Sequence, residues 1–239
     1  MISGGYPALV LARMKPVSSL KGRDEGSKSA GLGKVLVVFQ FAITIIMIIC
    51  TLVIGGQLNF IHTKDIGFNK DRLMVIDINN GNVRRDFRAI KNEYLSVPGV
   101  ESVAVSSRVP GEWKNIAELY ARTGASAEGV PDSIKTYFMG FDEDVLATYG
   151  LNLVGGRYFS QDIDDSTNVL LNESAVQAFG LTDPLGASIT LKRGATTFDA
   201  MVIGIIRDFN FQSLHQKVAP IVIGAWNNPF QSIDYFTLK

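Results

Sequence analysis

The sequence has few of the residues that build metal centres and disulfides. Its 239 residues contain one cysteine and two histidines. His62 and His215 lie far apart, with no cysteine or second histidine at ligand spacing, which argues against a zinc site. A single cysteine, Cys50, excludes a disulfide within the chain, so the folded part must be held by its apolar core. We predict no metal site and no cofactor.

A surplus of charge of one sign is also missing. The 23 Lys and Arg residues balance the 23 Asp and Glu residues. Phosphate backbones are bound by basic surfaces, so a chain without net charge gives no reason to expect nucleic acid as a partner.

The motifs of common catalytic and ion-binding sites are absent or incomplete. Gly31–Lys34 lacks the glycine spacing and the following Ser or Thr of a phosphate-binding loop, and the sequence has no Gly-x-Ser-x-Gly. Asp162, Asp164, Ser166 and Glu173 fall on positions 1, 3, 5 and 12 of a calcium loop, but Thr167 stands where glycine is needed. We predict a solvated acidic turn there, no catalytic residues, and no enzymatic activity.

A long uncharged run is the most prominent feature that the sequence does contain. Val35 to Gly55 has no charged side chain and includes Phe39, Gln40 and Phe41. As a helix rising about 1.5 Å per residue it would be roughly 31 Å long, close to the thickness of the bilayer hydrocarbon. Too few polar residues interrupt it to make the polar stripe of a helix in a soluble domain, and it is too long for a signal peptide. We predict a transmembrane helix.

The charges flanking this run predict its orientation. Two acidic residues precede the run, Asp24 and Glu25, and six basic residues do: Arg13, Lys15, Lys21, Arg23, Lys28 and Lys34. Basic flanks stay in the cytoplasm. The N-terminus is therefore predicted to be cytoplasmic, and the bulk of the chain to lie outside the membrane, in the periplasm of a Gram-negative cell.

The segment before the run resembles the connector between the two halves of MacB/FtsX-type ABC transporter permeases. The matching positions are Tyr6, Pro7, Ala8, Leu9, Ala12, Arg13, Pro16, Leu20, Lys21 and Gly22, and Ala12 replaces the usual serine. The run itself resembles the family's membrane helix, with Phe39-Gln40-Phe41 and Gln57 at its recognisable points. The resemblance implies that Tyr6, Pro7, Pro16, Lys21 and Gly22 belong to a cytoplasmic connector that contacts an ATPase.

The resemblance continues through four stretches of the outer part, in the family's order. They run over 155–160, 169–180, 183–191 and 202–220. None of these motifs is specific by itself, and the ordered set after a membrane helix supports the resemblance. It implies structural roles for Gly155, Arg157, Phe159, Asn172, Glu173, Pro184, Gly186, Gly204, Asp208, Phe209 and Pro220.

The predicted fold class is α+β: one long transmembrane and stalk helix followed by a mixed α/β periplasmic core domain with βαβ units. The predicted domains are a connector over 1–34, a membrane helix over 35–56, a stalk over 57–68 and a MacB-like periplasmic core domain over 69–239. We expect the stalk helix to continue unbroken to Ile66, with Gly67 as its stop. Gly55-Gly56 is the place where the helix could bend.

Within the outer part, periodicity predicts a strand–helix–strand unit over 72–107 and a second unit that begins with a strand over 134–141 and a helix over 143–149. Residues 108–131 are rich in turn signals, and we expect an exposed insertion that brackets one strand over 116–122. A turn is expected at Gly155-Gly156. Later elements are strands over 168–172, 187–191, 198–207, 219–225 and the end of the chain, with a helix over 173–179.

The resemblance implies a permease subunit of the bacterial inner membrane that couples ATP hydrolysis by a cytoplasmic partner to conformational change outside, for efflux, other export or lipoprotein release. The implied partners are the ATPase, the lipid bilayer, and the other permease half or a second copy, with a periplasmic adaptor as a further candidate. A second interpretation is a receptor-type sensor with a periplasmic ligand domain. It would require a second span soon after Lys239, leading to a signalling module.

Overall fold

The computed structural model describes residues 27–111, 116–123, 133–213 and 216–239. The chain divides into one unit over Met1–Lys64 and another over Asp65–Lys239. The predicted connector residues lie outside the described residues: Tyr6, Pro7, Pro16, Lys21 and Gly22.

The first unit contains one continuous helix, α1, over Ser27–Thr63. Its stretch Gly33–Thr63 is long and apolar enough to cross a membrane. The hydroxyls of Thr44 and Thr51 donate to the carbonyls of Gln40 and Met47, each at 2.8 Å, so these polar side chains are satisfied within the helix. The helix passes through Gly55-Gly56 without interruption.

The helix ends three residues before the expected Ile66. Gly67 is not its stop, because three residues separate it from Thr63. Its left-handed backbone, with φ of 81°, instead forms a turn in which its amide donates to Asp65 Oδ1 at 2.9 Å.

The second unit is built from strands with short helices between them, which confirms the predicted α+β class. Its elements are β1 (Met74–Asp77), α2 (Gly81–Arg85), α3 (Phe87–Leu95), β2 (Val103–Ser106), β3 (Ala117–Thr123), β4 (Ile134–Phe141), α4 (Val145–Tyr149), β5 (Leu153–Gly156), β6 (Asn168–Asn172), α5 (Glu173–Ala178), β7 (Ser188–Arg193), β8 (Thr196–Ile206), β9 (Ile221–Ala225) and β10 (Tyr235–Leu238).

Six of these strands close into a ring. The order β4, β3, β7, β8, β6, β9 returns to β4, because β4 also pairs with β9. The pairs β4–β9 and β6–β8 are parallel, and the other four are antiparallel. We call this ring the barrel. Closure removes the free edges that an open sheet of these strands would expose.

The interior of the barrel is lined by one face of each strand. On β3, Ala117, Leu119 and Ala121 are buried, while Glu118 and Tyr120 between them are exposed. The other interior side chains come from the remaining strands, from α5 and from the residue that follows α5: Phe138, Val169, Leu171, Ala175, Phe179, Ile189, Leu191, Ala200, Val202 and Val222.

The placement of β3 corrects the expectation of an exposed insertion over 108–131. The predicted strand is present, but it lies inside the sheet, hydrogen-bonded to β4 on one side and β7 on the other. Turn signals on both sides of a strand do not reveal its partners, and one of the two partners, β7, comes from a distant part of the chain. Residues 112–115 and 124–132 lie outside the described residues.

The same sheet extends beyond the barrel through β1, β10 and β2, and we call this three-stranded part the small sheet. The predicted strand–helix–strand unit is present, but β10 lies between β1 and β2 and runs antiparallel to both. Val103, Val105 and Phe236 pack with Phe87 of α3 on one face of this sheet. The sheet joins the barrel where Ser106 of β2 pairs with Phe141 of β4.

A turn was expected at Gly155-Gly156, and this prediction is wrong. Both glycines belong to β5, which pairs antiparallel with β8. Gly156 has φ of 75°, and a Cβ there would lie 2.2 Å from the carbonyl oxygen of Ile203. Position 156 therefore requires glycine for two reasons: the backbone of β8 approaches it too closely for a Cβ, and its positive φ is unfavourable for other residues.

Replacement of Gly224 by alanine tests whether the barrel interior is tightly packed. A Cβ at Gly224 of β9 would lie 2.5 Å from Cζ of Phe138. We expect Gly224→Ala to lower the free energy of unfolding by about 1–3 kcal/mol, because the ring must shift in a filled interior. The measurement is guanidinium unfolding of the detergent-solubilised chain.

Gly81→Ala is the matched control, since a Cβ at Gly81 meets nothing within 4 Å. It should leave stability unchanged or slightly raised, because alanine favours the helix that begins at this position. Equal effects of the two variants would contradict the described packing of the barrel.

Candidate functional site

The exposed surface of α1 is the first candidate site. Its large apolar side chains lie open around the whole helix, as in Phe39 at 62% and Leu52 at 70% exposure. The membrane residues predicted from the sequence, Val35, Phe39, Gln40, Phe41 and Gly55, all lie on it and are exposed. A helix that is apolar all round needs apolar surroundings, and a lipid bilayer supplies them while the helix satisfies its own backbone groups.

Asn172 is the centre of a buried polar cluster in the second unit. It ends β6 and is fully buried. Its Oδ1 accepts from the amides of Ala175 at 2.9 Å and Ile221 at 3.0 Å, and its Nδ2 donates to Asp208 Oδ1 at 2.7 Å and the Ala219 carbonyl at 3.1 Å. One side chain thus caps α5 and ties β6 to the start of β9.

Asp208 completes this cluster from the segment after β8. Its Oδ1 also accepts from the Ser174 amide at 3.0 Å, and its Oδ2 accepts from the Ser174 hydroxyl at 2.6 Å. The amide of Asp208 donates to Glu173 Oε2 at 3.0 Å. The family-motif residues Asn172, Glu173 and Asp208, distant in sequence, are therefore brought together. The carboxylates of Asp208 and Glu173 both accept hydrogen bonds from protein groups, so these bonds hold the surrounding segments together.

The residues next to Asp208 pack into the same region. Phe209 is fully buried, and Phe211 beside it is nearly so. A Cβ at Gly67 would lie 2.6 Å from the Asp208 carbonyl oxygen, and the Asn210 amide donates to the Ile66 carbonyl at 2.8 Å. The segment that follows α1 in sequence is thus held against the segment after β8 by close backbone contact.

Pro220 contributes its carbonyl, which accepts from the Thr136 hydroxyl at 2.9 Å and the Tyr137 amide at 3.0 Å. These bonds join the start of β9 to β4. The two residues beside Pro220, Ala219 and Ile221, are the ones that bond to Asn172. The family-motif proline therefore lies at the parallel pairing that closes the barrel.

Arg157 and Asp165 form a second cluster. The guanidinium donates to both carboxylate oxygens, at 3.0 and 2.7 Å, and Asp165 also accepts from the Ser160 amide and the Asn168 side chain. Burial opposes the ionisation of Asp165, but the hydrogen bonds from Arg157 and Asn168 outweigh it and hold its pKa below the usual value. The acidic stretch considered as a calcium loop is held in place by the Arg157–Asp165 pair. Glu173, the residue at position 12 of that loop, accepts a hydrogen bond from the Asp208 amide.

The remaining family-motif residues lie around β5, β8 and the turn before β7. Phe159 is buried in a hydrophobic cluster that includes Ala104 of β2 and Phe141 of β4. A Cβ at Gly204 would lie 2.4 Å from the Arg157 carbonyl oxygen. The Gly186 amide donates to the Val202 carbonyl, and the Pro184 carbonyl accepts from Ala187. Gly155 pairs with Ile205 across β5 and β8.

A third cluster was not predicted from the sequence. Lys91 of α3 is only 5% exposed, and its Nζ lies 2.5 Å from carboxylate oxygens of both Asp142 and Asp144 and 3.8 Å from Glu143. Lys91 follows Phe87 by four residues and so shares the buried face of α3. That four-residue spacing was the sequence feature from which burial of Lys91 could have been predicted, but a lysine at such a position ordinarily extends its ammonium to solvent.

The charges of this cluster shift one another's pKa. Burial opposes the charge of Lys91, but the carboxylates of Asp142 and Asp144 outweigh burial and raise its pKa above the usual value. Burial raises the pKa of Asp142 to about 6, against the opposing effect of the Lys91 ammonium. The three carboxylates are close enough to hold a metal ion, but the ammonium of Lys91 already contacts two of them.

A membrane-compatible helix followed by an α+β domain whose polar clusters serve its own packing fits a membrane-anchored protein, and we call the second unit its outer domain. A family model described as the MacB-like periplasmic core domain matches residues 36–232. Because that model covers more than half of the chain, the chain belongs to the MacB-like periplasmic core domain family. The resemblance to MacB/FtsX-type permeases is thereby confirmed.

Two solved structures illustrate the likeness. The periplasmic region of MacB from Actinobacillus actinomycetemcomitans is 19% identical, with a TM-score of 0.49 over 74% of this chain and 78% of that chain. The extracellular domain of the noncanonic ABC-type transporter YknZ from Gram-positive bacteria is 14% identical, with a TM-score of 0.47 over 70% of this chain and 83% of that chain. No curated protein sequence matches the chain.

Replacement of Asp208 by asparagine tests the buried polar cluster. Asparagine has one acceptor oxygen, so the amide and hydroxyl of Ser174 can no longer both be satisfied as they are by the carboxylate. We expect Asp208→Asn to lower the free energy of unfolding by about 1–3 kcal/mol in guanidinium titrations of the detergent-solubilised chain.

Asp199→Asn serves as the control, since Asp199 is exposed and accepts one hydrogen bond, from Thr190. A surface substitution of this kind should change stability by less than about 0.5 kcal/mol. If Asp208→Asn were as mild as Asp199→Asn, the cluster would not hold the domain together.

Proposed function

We propose that this chain is part of a permease subunit of an ABC transporter, in which a cytoplasmic ATPase drives conformational change of a domain outside the bacterial inner membrane. The observation that carries the proposal is the family match over 36–232, which extends from the apolar helix into the outer domain. One polypeptide thus contains both a membrane-compatible segment and the domain that would respond.

The length of α1 supports a role in transmitting motion. Its 37 residues correspond to about 55 Å at 1.5 Å per residue, whereas the bilayer hydrocarbon is about 30 Å thick. A helix of this length would extend beyond the hydrocarbon. Its backbone hydrogen bonds are internal, so displacement at one end is passed along the axis with little bending. Gly55-Gly56, where an added Cβ would meet nothing within 4 Å, is the candidate hinge.

The chain itself would perform no catalysis. The clusters around Asn172, Arg157 and Lys91 use their polar groups to hold segments of the outer domain together, as the hydrogen bonds above show. The free energy for transport would come from nucleotide hydrolysis by the ATPase partner. The other permease half or a second copy would complete the transport path, and a periplasmic adaptor could extend it, for efflux, other export or lipoprotein release.

Cysteine labelling tests the orientation. In a Cys50→Ser background, Lys28→Cys and Ser126→Cys place one thiol on each side of the apolar run. We expect a membrane-impermeant maleimide to label the Ser126→Cys thiol in intact spheroplasts and to label the Lys28→Cys thiol only after lysis, because the basic flank remains in the cytoplasm. The reverse pattern would mean an inverted topology and would remove the basis for the permease proposal.

A proline in the distal part of α1 tests the mechanical role. Leu58→Pro in the full-length permease removes a backbone donor and breaks the helix beyond the apolar centre. With the ATPase partner reconstituted, we expect nucleotide hydrolysis to continue while export of the cargo is largely lost. Leu58→Ala keeps the helix and should retain export. Full export by the proline variant would show that a continuous helix is unnecessary.

A further inference from the structure

The Lys91 cluster lies where the two parts of the outer domain meet. Lys91 belongs to α3, which packs on the small sheet, whereas Asp142, Glu143 and Asp144 follow β4 of the barrel. The strand connection at this junction is narrow, because β2 and β4 pair only at Ser106 and Phe141. The Asp142 amide also donates to the Val105 carbonyl at 3.0 Å, so the acidic turn is fixed to the end of β2.

The charges of the cluster do not balance. One ammonium faces three carboxylates, whose ligand atoms all lie within 4.8 Å of one another. Asp142 is fully buried, while Asp144 is about half exposed. Burial of the Asp142 carboxylate disfavours its charge, and the nearby Glu143 carboxylate adds to this, so uptake of a proton by Asp142 is favourable.

Among the residues that the structure describes, the other groups that face the cluster do not supply a second cation to it. Gln161 donates a hydrogen bond to Glu143. Burial and the three carboxylates together raise the pKa of the Tyr158 phenol well above its usual value, so it stays neutral. Arg88 lines a cavity of about 240 Å³ together with Glu143, but its guanidinium lies over the ring of Trp226, 5.3 Å from the centroid. Asp162, Asp164 and Asp165 line the same cavity and add negative charge.

We propose that the acidic turn and Lys91 form a proton-dependent latch between the barrel and α3, which takes up one proton in mildly acidic surroundings and then holds α3 more tightly. In the closed latch the proton resides on Asp142, and Lys91 keeps its pairing with Asp144. The physiological meaning rests on the proposed function, because only a domain outside the membrane experiences the pH of the medium. The physical claim about α3 does not depend on transport.

The direction of the effect follows from proton linkage. When α3 detaches, Asp142 becomes solvated and its pKa returns toward the ordinary value of 3.8, whereas in the closed latch it is about 6. The closed state therefore binds more protons between these values, and acidification favours it. Lys91 remains charged throughout this range, because its pKa is raised. Between pH 7 and pH 5 the opening equilibrium should fall roughly tenfold.

Amide hydrogen exchange of the detergent-solubilised chain measures this opening. After correction for the intrinsic pH dependence of exchange, the protection of α3 should rise roughly tenfold from pH 7 to pH 5. The amides of β7 in the barrel serve as an internal reference and should change less. Equal changes in α3 and β7 would report global stability and overturn the latch, as would unchanged or falling protection of α3.

Two variants and a control assign the effect. Asp142→Asn imitates the protonated side chain, and α3 should then be protected at both pH values without the tenfold response. Lys91→Met leaves three carboxylates without their cation, so protection at pH 7 should fall below that of the wild type. Glu118→Gln alters an exposed pair with Lys135 on the barrel and should keep the full response. A tenfold response that persisted in Asp142→Asn would overturn the assignment.

The outcome is separable from that of the proposed function. Exchange of α3 reports the latch whether or not an ATPase partner exists, while the cysteine labelling reports topology whether or not the latch responds to pH. A failed latch with correct labelling would leave the permease proposal intact. A working latch with inverted labelling would leave a proton-dependent domain of another function.

Discussion

The parallel pairing of β4 with β9 is the constraint on which the outer domain depends. Without it, β4, β3, β7, β8, β6 and β9 would form an open sheet in which the edge of β9 is unpaired, and with it they enclose a filled interior. The pairing brings together strands that are far apart in the chain, so local sequence cannot hold it. The pairing is formed by the backbone ladder between Tyr137–Phe141 and Ile221–Ala225, and the bond from the Thr136 hydroxyl to the Pro220 carbonyl fixes its start. Asn172 holds the start of β9 to β6 by accepting from the Ile221 amide.

The polar clusters share a physical logic. Asn172 bonds to Asp208, and Arg157 bonds to Asp165, so the polar groups of each cluster are satisfied by protein partners. Each cluster thereby holds two segments of the domain in a fixed position relative to each other. A domain held in this way can move as one body. That property is the one that the proposed coupling to a membrane helix requires.

The Lys91 cluster differs from the others because its charges do not cancel. Three carboxylates and one ammonium meet at the narrow junction between the barrel and the small sheet. Buried ion clusters of this kind contribute little net stability relative to apolar packing, but they make the contact sensitive to protonation. The junction is therefore a place, among the described residues, where the proposed protonation alters the packing of one element without changing the fold.

The sequence by itself determined α1, because a long uncharged run has one stable environment, and it located most strands and helices, because alternation and 3.6-residue spacing are local. It also identified Asn172, Glu173 and Asp208 as structural through a family resemblance. Only the tertiary structure decided that β10 lies between β1 and β2, that β3 is an interior strand of a closed barrel, and that Lys91 meets the acidic turn. These features depend on which distant segments pair, and neither periodicity nor local charge records the partner of a strand or the destination of a buried lysine.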